Sequence, residues 1–369
     1  MSGAHALYAP SSMAQTMQCP ASVRLQQLYP EQPDETSIEG EAAHWGCAEL
    51  LHGRPIAVGQ ITPNGVALDG DMIDAAELYA SVVRPDMGGL HVESRVQMPR
   101  IHPQCWGTPD AWRVTHSDDG PTIRVWDFKY GHEYVDEFEN PQLAAYVAGV
   151  VDALRLDGQN ELLYTVHATI VQPRCYGRKP VRTWRVPVGE LRALWNVMQA
   201  ACEEADGEAR TRVGPECKHC TARHACDALQ RASLSAIDVA GQAEPLELDT
   251  PAAAAELRRL RYAVDTMQAR ASGLEQQLMN VARSGQPVPG FHIETTAGRE
   301  QWTMPVDRVI TLGQLYGVDL RKQATLTPAQ ARTAGVATDG FTERRGGSAS
   351  LVVDQPHQMV RIFKAGSSA

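Results

Sequence analysis

The run Ile123-Arg124-Val125-Trp126-Asp127-Phe128-Lys129 constrains the fold more than any other stretch of the chain. Its β-branched and aromatic residues favour a strand, and side chains alternate faces along a strand. Ile123, Val125, Asp127 and Lys129 therefore share one side, which puts an acid and an amine together at a strand end. Upstream, Asp110 stands in Gly107-Thr108-Pro109-Asp110. A second acid delivered from a neighbouring strand would complete a site for a divalent metal. Two carboxylates offer hard oxygen ligands to Mg²⁺ or Mn²⁺. Such an ion activates water and neutralises phosphate charge, while a lysine beside it orients the water or stabilises the developing anion. The chemistry is phosphodiester hydrolysis. A D-x-K triplet is also common as a solvated surface pair, so its companions decide between the two readings.

The cysteines are the first companions. Of eight, Cys217, Cys220 and Cys226 form a C-x2-C-x5-C cluster. Without a secretory signal, such a cluster points to a metal site rather than a disulfide framework. Structural zinc usually shows paired short spacings or His partners, and no second C-x-x-C follows here. Three clustered cysteines plus one remote cysteine suit a four-thiolate iron–sulfur cluster. Cys19, at the end of a short helical stretch, is the remote candidate. Zinc is the alternative, because His219 and His224 lie inside the cysteine loop. Cys47, Cys105, Cys175 and Cys202 read as plain buried thiols.

Together these residues resemble the PD-(D/E)XK nuclease superfamily, in its RecB-like branch with an iron–sulfur cluster. That branch includes the CRISPR-associated Fe–S exonucleases and the AddB nuclease domain. Pro109-Asp110 and Asp127-Phe128-Lys129 match the signature, and Gly40-Glu41-Ala42-Ala43-His44 matches the branch's upstream helix motif. Gln142-Leu143-Ala144-Ala145-Tyr146 matches its Q-x-x-x-Y motif, and Cys19 with Cys217, Cys220 and Cys226 matches the cluster's one-plus-three order. The likeness covers about residues 5–230. More narrowly, the chain is similar to an uncharacterised family carried by phages and prophages, through Asn140-Pro141-Gln142-Leu143 and Gln172-Pro173-Arg174 among other strings.

The resemblance implies a restriction-endonuclease-like mixed sheet flanked by helices, of the α/β class, with the cluster as a staple. It implies a Mg²⁺- or Mn²⁺-dependent deoxyribonuclease, an exonuclease of phage recombination or replication that leaves a 5′-phosphate and a 3′-hydroxyl. His44, Asp110, Asp127 and the Phe128 carbonyl would bind the metal, with Lys129 as the catalytic amine. Without the resemblance, His44 on an alanine-rich helix reads as a core histidine. Glu41 shares its helix face, whereas Glu49 lies about 140° round the helix. Glu93, in a strand-like stretch, is a further acid that reads either as surface or as part of the site. Gln142 and Tyr146, one turn apart, orient Lys129 or touch a phosphate, against ordinary helix packing. The partners implied are DNA and a phage single-strand annealing or recombination protein. The rival from another class is a DNA-binding scaffold that has kept the fold without turnover.

The net charge of −10, from 34 basic and 44 acidic residues, is not the footprint of a protein that coats nucleic acid. A nuclease needs only a local basic track. Arg174, Arg178, Lys179, Arg182 and Arg185 fall in a stretch without acids, with Tyr176 and Trp184 interleaved for stacking on bases. A basic exposed loop and strand is the plainer reading. No apolar run approaches the ~20 residues that span a bilayer, and the N-terminus lacks a signal pattern. Both agree with a cytoplasmic protein of a bacterial host, phage- or prophage-encoded.

Along the chain, residues 1–230 read as the nuclease domain and 231–249 as a linker. Thr250-Pro251 then starts a long helix over 250–284, and 285–369 read as a small α+β region. Leu257, Leu260, Val264, Met267, Ala271, Leu274, Leu278 and Val281 follow a 3-4 spacing. Such a seam packs on the core or pairs with a second copy as a homo-oligomer. Leu162–Val171 reads as a strand, and a hairpin is expected around Ala297-Gly298.

Overall fold

The computed structural model describes residues 6–30, 35–84, 88–118, 120–175, 178–240, 250–302, 304, 306–320, 331 and 335–353. The chain divides into two compact units, Met1–Arg270 and Ala271–Ala369. The first opens with helices α1 (Met13–Gln18), α2 (Ser22–Leu28), α3 (Glu35–Leu51) and α4 (Gly70–Val83). Asp69 caps α4, its carboxylate accepting from the Met72 N–H at 2.8 Å. At the other end Arg84 takes a left-handed conformation, φ 56°, and the buried Arg113 guanidinium donates to the carbonyls of Val83 and Arg84. A cation there complements the helix dipole.

Strands β1 (His91–Val92), β2 (Val96–Gln97), β3 (Trp106–Gly107), β4 (Ala111–Ser117) and β5 (Gly120–Phe128) follow. Helix α5 (Pro141–Ala153) comes next, then β6 (Thr165–Val171), β7 (Val181–Pro187) and α6 (Leu191–Asp206). Asn140 caps α5 and Pro141 opens it, a combination that pre-organises a first turn. The main sheet has the order β1-β4-β5-β6-β7. All its pairs are antiparallel except β5 with β6. A parallel pair needs a crossover, and α5 lies in that connection. The architecture is thus a five-stranded mixed sheet flanked by helices.

Strand alternation divides the core in two. Ile123, Val125, Val166 and Ile170 face α5 and α6, meeting Leu143, Val147, Trp195 and Met198. Trp126, Phe128 and Val171 face the other way, toward Ala42, Cys47, Met72 and Tyr79 of α3 and α4. Helix α5 is rich in Ala and Gly, so the backbone approaches its neighbours closely. A Cβ on Gly149 would sit 2.6 Å from Val96 Cγ2 and 2.9 Å from Val96 Cβ. Gly149→Ala should therefore destabilise the first unit by roughly 1–3 kcal/mol through overpacking. Chemical denaturation checks this, and an unchanged midpoint would mean that the helix shifts freely.

Helix α7 (Asp227–Ala240) runs into the stretch read as a linker, while residues 241–249 lie outside the described residues. The long helix α8 spans Thr250–Arg283. Leu257, Leu260 and Val264 are about half exposed, and Thr266 and Ala269 are buried instead. Ser233 of α7 donates to the Thr266 carbonyl, and Arg270 donates to the carbonyls of Arg223 and His224. Small residues let α8 lie close to α7 and the cysteine loop, which turns the leucines outward.

In the second unit, β8 (Phe291–Trp302) and β9 (Thr342–Val353) pair antiparallel, with helix α9 (Val306–Leu315) between them in sequence. The hairpin expected around Ala297-Gly298 is absent. That stretch lies inside β8 as a register shift, because the pairing partner comes from far along the chain. Val309, Leu312, Leu320 and Val336 form this unit's small core. Among the described residues no helix is long and apolar enough to cross a membrane.

Candidate active site

Asp127 lies at the end of β5 on the α5 side, 2% exposed. Lys129 follows just past the strand, held by a backbone bond from its N–H to the Val171 carbonyl at 2.9 Å. Its Nζ stands 2.9 Å from Asp127 Oδ2. The two make a charge-assisted contact on a buried carboxylate oxygen.

Asp110 immediately precedes β4, and the pairing of Ala111 with Trp126 sets it beside the end of β5. Its Oδ2 accepts the Phe128 N–H at 2.6 Å, and its Oδ1 lies 3.2 Å from His44 Nδ1. His44 comes from α3, across the sheet edge, with its ring edge-on to Phe128 at 5.2 Å. Gln142, in the first turn of α5, joins the acid to the amine. Its Oε1 accepts from Lys129 Nζ at 2.9 Å, and its Nε2 donates to Asp127 Oδ1 at 3.0 Å. The same Nε2 lies 3.3 Å from the Tyr146 hydroxyl one turn on.

Burial and charge oppose each other here. Burial works against the Lys129 ammonium, but Asp127 and Asp110 outweigh it and hold its pKa above the usual lysine value. Burial pushes the Asp127 carboxyl up, with the Asp110 charge adding to it against the pull of Lys129. For Asp110, burial is outweighed by His44, the Phe128 N–H and Lys129, so its carboxyl lies below the ordinary value. His44 resists burial through Asp110 and lies above the ordinary imidazole value. Two acids and two bases packed this closely make a group whose charges depend on one another.

An open cleft beside these residues is lined by Glu41, His44 and Glu93 among others. Glu93 takes a left-handed backbone, φ 43°, while its N–H bonds the Asp110 carbonyl at 3.1 Å. Burial and the Asp110 charge raise its carboxyl pKa. A non-glycine residue held there is uncommon and tends to mark a functional site. Glu49 points elsewhere, clamped by two 2.6 Å bonds from Arg54.

The basic stretch divides in two. Arg174 lies over the Tyr130 ring at 4.5 Å, and Arg178 over Tyr134 at 4.4 Å. Lys179 is exposed and Trp184 meets Phe138 edge-on at 5.7 Å, whereas Tyr176 falls outside the described residues. Arg182, read as part of a surface track, is buried at 8% exposure. It donates to the Val135 carbonyl at 2.7 Å and to Gln172 Oε1 at 2.9 Å, and pairs with Glu137 at 3.2 Å. Gln172 in turn donates to the carbonyls of Gly131 and Glu133. This hub, which sequence reasoning missed, holds the loop between Lys129 and Gln142. Its only sequence signal was Gln172-Pro173-Arg174. Arg182→Ala should strip the loop of several buried donors and cost about 2–3 kcal/mol. Thermal unfolding checks this, and an unaltered melt would remove the hub from the account.

Cys19, Cys217, Cys220 and Cys226 line one pocket between α1 and the loop after α6. The N–H groups of Arg212 and Gly214 point at Cys19 Sγ and Cys217 Sγ, each at 3.4 Å. Burial raises the Cys217 thiol and pushes Cys220 up to about 11. Gln15 Nε2 and Ser22 Oγ, on residues of the same lining, are buried without a hydrogen-bond partner. His224 instead packs on Tyr29 and bonds the Thr221 carbonyl, and His219 is exposed; neither lines the pocket. Cys47, Cys105, Cys175 and Cys202 are buried and free. Among the described residues no three His, Cys, Asp or Glu side chains converge as a single ion would require.

Residues 5–334 match the profile of a family described as "Protein of unknown function (DUF2800)". The chain also resembles the crystal structure of a candidate exonuclease from Eubacterium rectale, at 10% identity and a TM-score of 0.36. That match covers 65% of this chain and 90% of the other. At that strength, function rests on the side chains above.

Proposed function

The chain belongs to the DUF2800 family, and for this member we propose a metal-dependent deoxyribonuclease, an exonuclease of phage recombination or replication. One observation carries the reading. The buried Asp127 and the half-buried Lys129 stand side by side, tied together by Gln142, with Asp110 and His44 adjoining. A structural ion pair would not need the second acid or the imidazole. The mixed sheet with helices on both sides agrees with a restriction-endonuclease-like fold.

The donor types are those of a divalent-ion site, although the three side chains do not converge on one point in this structure. Asp110, Asp127 and His44 would hold the ion, with the Phe128 carbonyl beside them. Oxygen ligands suit Mg²⁺, and the imidazole biases the set toward Mn²⁺. When bound, the ion supplies an activated water and neutralises phosphate charge. Lys129 places a positive charge where the phosphorane charge develops. Gln142 holds the Lys129 Nζ through its Oε1 and Asp127 Oδ1 through its Nε2, so neither side chain has to reorganise. Glu93 adds a carboxyl at the cleft.

We infer that the thiol pocket holds a [4Fe–4S] cluster, with zinc on the same four thiols as the alternative. Its lining holds four thiols and neither histidine, which supplies four thiolates and drops the histidine-assisted zinc site. Gln15 Nε2, Ser22 Oγ and the two N–H groups aimed at sulfur suit an inorganic group rich in sulfide acceptors. Ligands from α1 and from the loop after α6 would make it a staple.

End-labelled linear DNA incubated with the fully metallated chain and Mn²⁺ tests the assignment. Progressive loss of label is expected, abolished by chelation. No cleavage of single- or double-stranded DNA with Mn²⁺ or Mg²⁺ would favour a DNA-binding scaffold that retains the fold.

A further inference from the structure

Helices α3 and α4 cover only half of their side of the sheet, over Trp126, Phe128 and Val171. The other half is open. There Arg124 of β5 lies directly opposite His167 of β6, which lies opposite Arg185 of β7. Directly opposed residues share a face, and strands lie about 4.8 Å apart, so the two arginines stand roughly 10 Å apart at the backbone. Thr115, Thr165 and Thr183 add hydroxyls around them. The residues on this side of β4, β5, β6 and β7 include no Asp or Glu.

Arg124 and Arg185 share one face with only His167 between them. Arg185 lies close enough to depress the Arg124 pKa, though burial is the larger cause, and both arginines add to burial in holding His167 below the usual imidazole value. Arg124 makes one hydrogen bond, from Nε to Thr115 Oγ1 at 3.2 Å. Among the described residues neither arginine has a carboxylate partner, in a chain where acids outnumber bases 44 to 34. A merely solvated face would readily have taken an acid.

We propose that the open half of this face, centred on Arg124, His167 and Arg185, is a second nucleic-acid contact that takes the phosphates of a strand away from the cutting site. Guanidinium and hydroxyl groups without acids are the set that binds phosphodiesters. The choice of a nucleic acid rests on the nuclease reading, but the contact does not require cleavage.

The test measures binding of labelled oligothymidylate to the full chain, without added divalent metal, across a range of salt. The double variant Arg124→Gln/Arg185→Gln should bind roughly tenfold more weakly at low salt. It should also lower the slope of log affinity against log salt by about two. Arg124→Lys/Arg185→Lys should keep most of the slope, which separates lost charge from lost folding. Arg258→Gln/Arg261→Gln, removing two exposed charges from α8, should leave it unchanged. A slope indifferent to Arg124 and Arg185 overturns the proposal, as does a wild-type chain that binds no oligothymidylate. A chain that binds through the arginines but never cuts would remove the nuclease reading and leave this contact standing.

Discussion

Lys129→Ala should lower DNA cleavage by about a hundred- to a thousandfold, because one positioned group at a developing anion is worth that much. The structure gives this substitution its weight. Nζ reaches Asp127 at 2.9 Å and Gln142 at 2.9 Å, so no neighbour replaces it when the chain is cut back to alanine. The loss should fall on turnover and spare binding of DNA. Asp127 would then lie buried without its cation, so some stability should go too, and the comparison belongs at a temperature where circular dichroism shows the variant folded. Lys129→Arg separates charge from position. It keeps the cation but cannot take the same geometry against Gln142, and should remain far below wild type. Wild-type turnover by the alanine variant would sink the assignment outright.

Cys217→Ser and Cys220→Ser should each remove the brown absorbance of anaerobically purified protein and destabilise the first unit by several kcal/mol. The size follows from chain length. Cys19 and Cys217 are 198 residues apart in sequence (217 − 19), so a cluster joining them closes a very long loop. Closing a loop of ~100 residues is worth about 5 kcal/mol in the chain-entropy account, and longer loops slightly more. Cys47→Ser, buried outside the pocket, should keep the colour even if its own packing suffers. Iron and sulfide analysis distinguishes the cluster from zinc directly. Variants that stay coloured, or stay fully folded and active, would refute the staple.

Local features of the site were legible because they depend on local geometry. The alternation from Ile123 to Lys129 sends Asp127 to the α5 side for the same reason that it sends Ile123 and Val125 into the core. A four-residue spacing places Gln142 near Tyr146 on any helix. What spacing cannot supply is the partner across a gap in sequence. That Gln142 bridges Asp127 to Lys129, or that His44 meets Asp110, depends on where α5 and α3 dock. Arg182 shows the same limit from the other side. It stands in a basic stretch, yet β7 alternation turns it inward to Glu137 and Gln172 while Arg185 turns outward. A charge run read linearly mixes two faces of one strand.

The sequence by itself determined the elements and the chemical types: a strand ending in Asp-Phe-Lys, capped helices, four cysteines in a one-plus-three order, a heptad stripe on α8. These follow from periodicity and from backbone preferences that act over a few residues. Only the tertiary structure decided what each face meets. It turned the α8 leucines outward by packing small residues inward, drew Ala297-Gly298 into β8 through a partner some fifty residues on, and aligned Arg124, His167 and Arg185 across three strands. Register and docking are set by the sum of many distant contacts, and no single stretch of chain carries that sum.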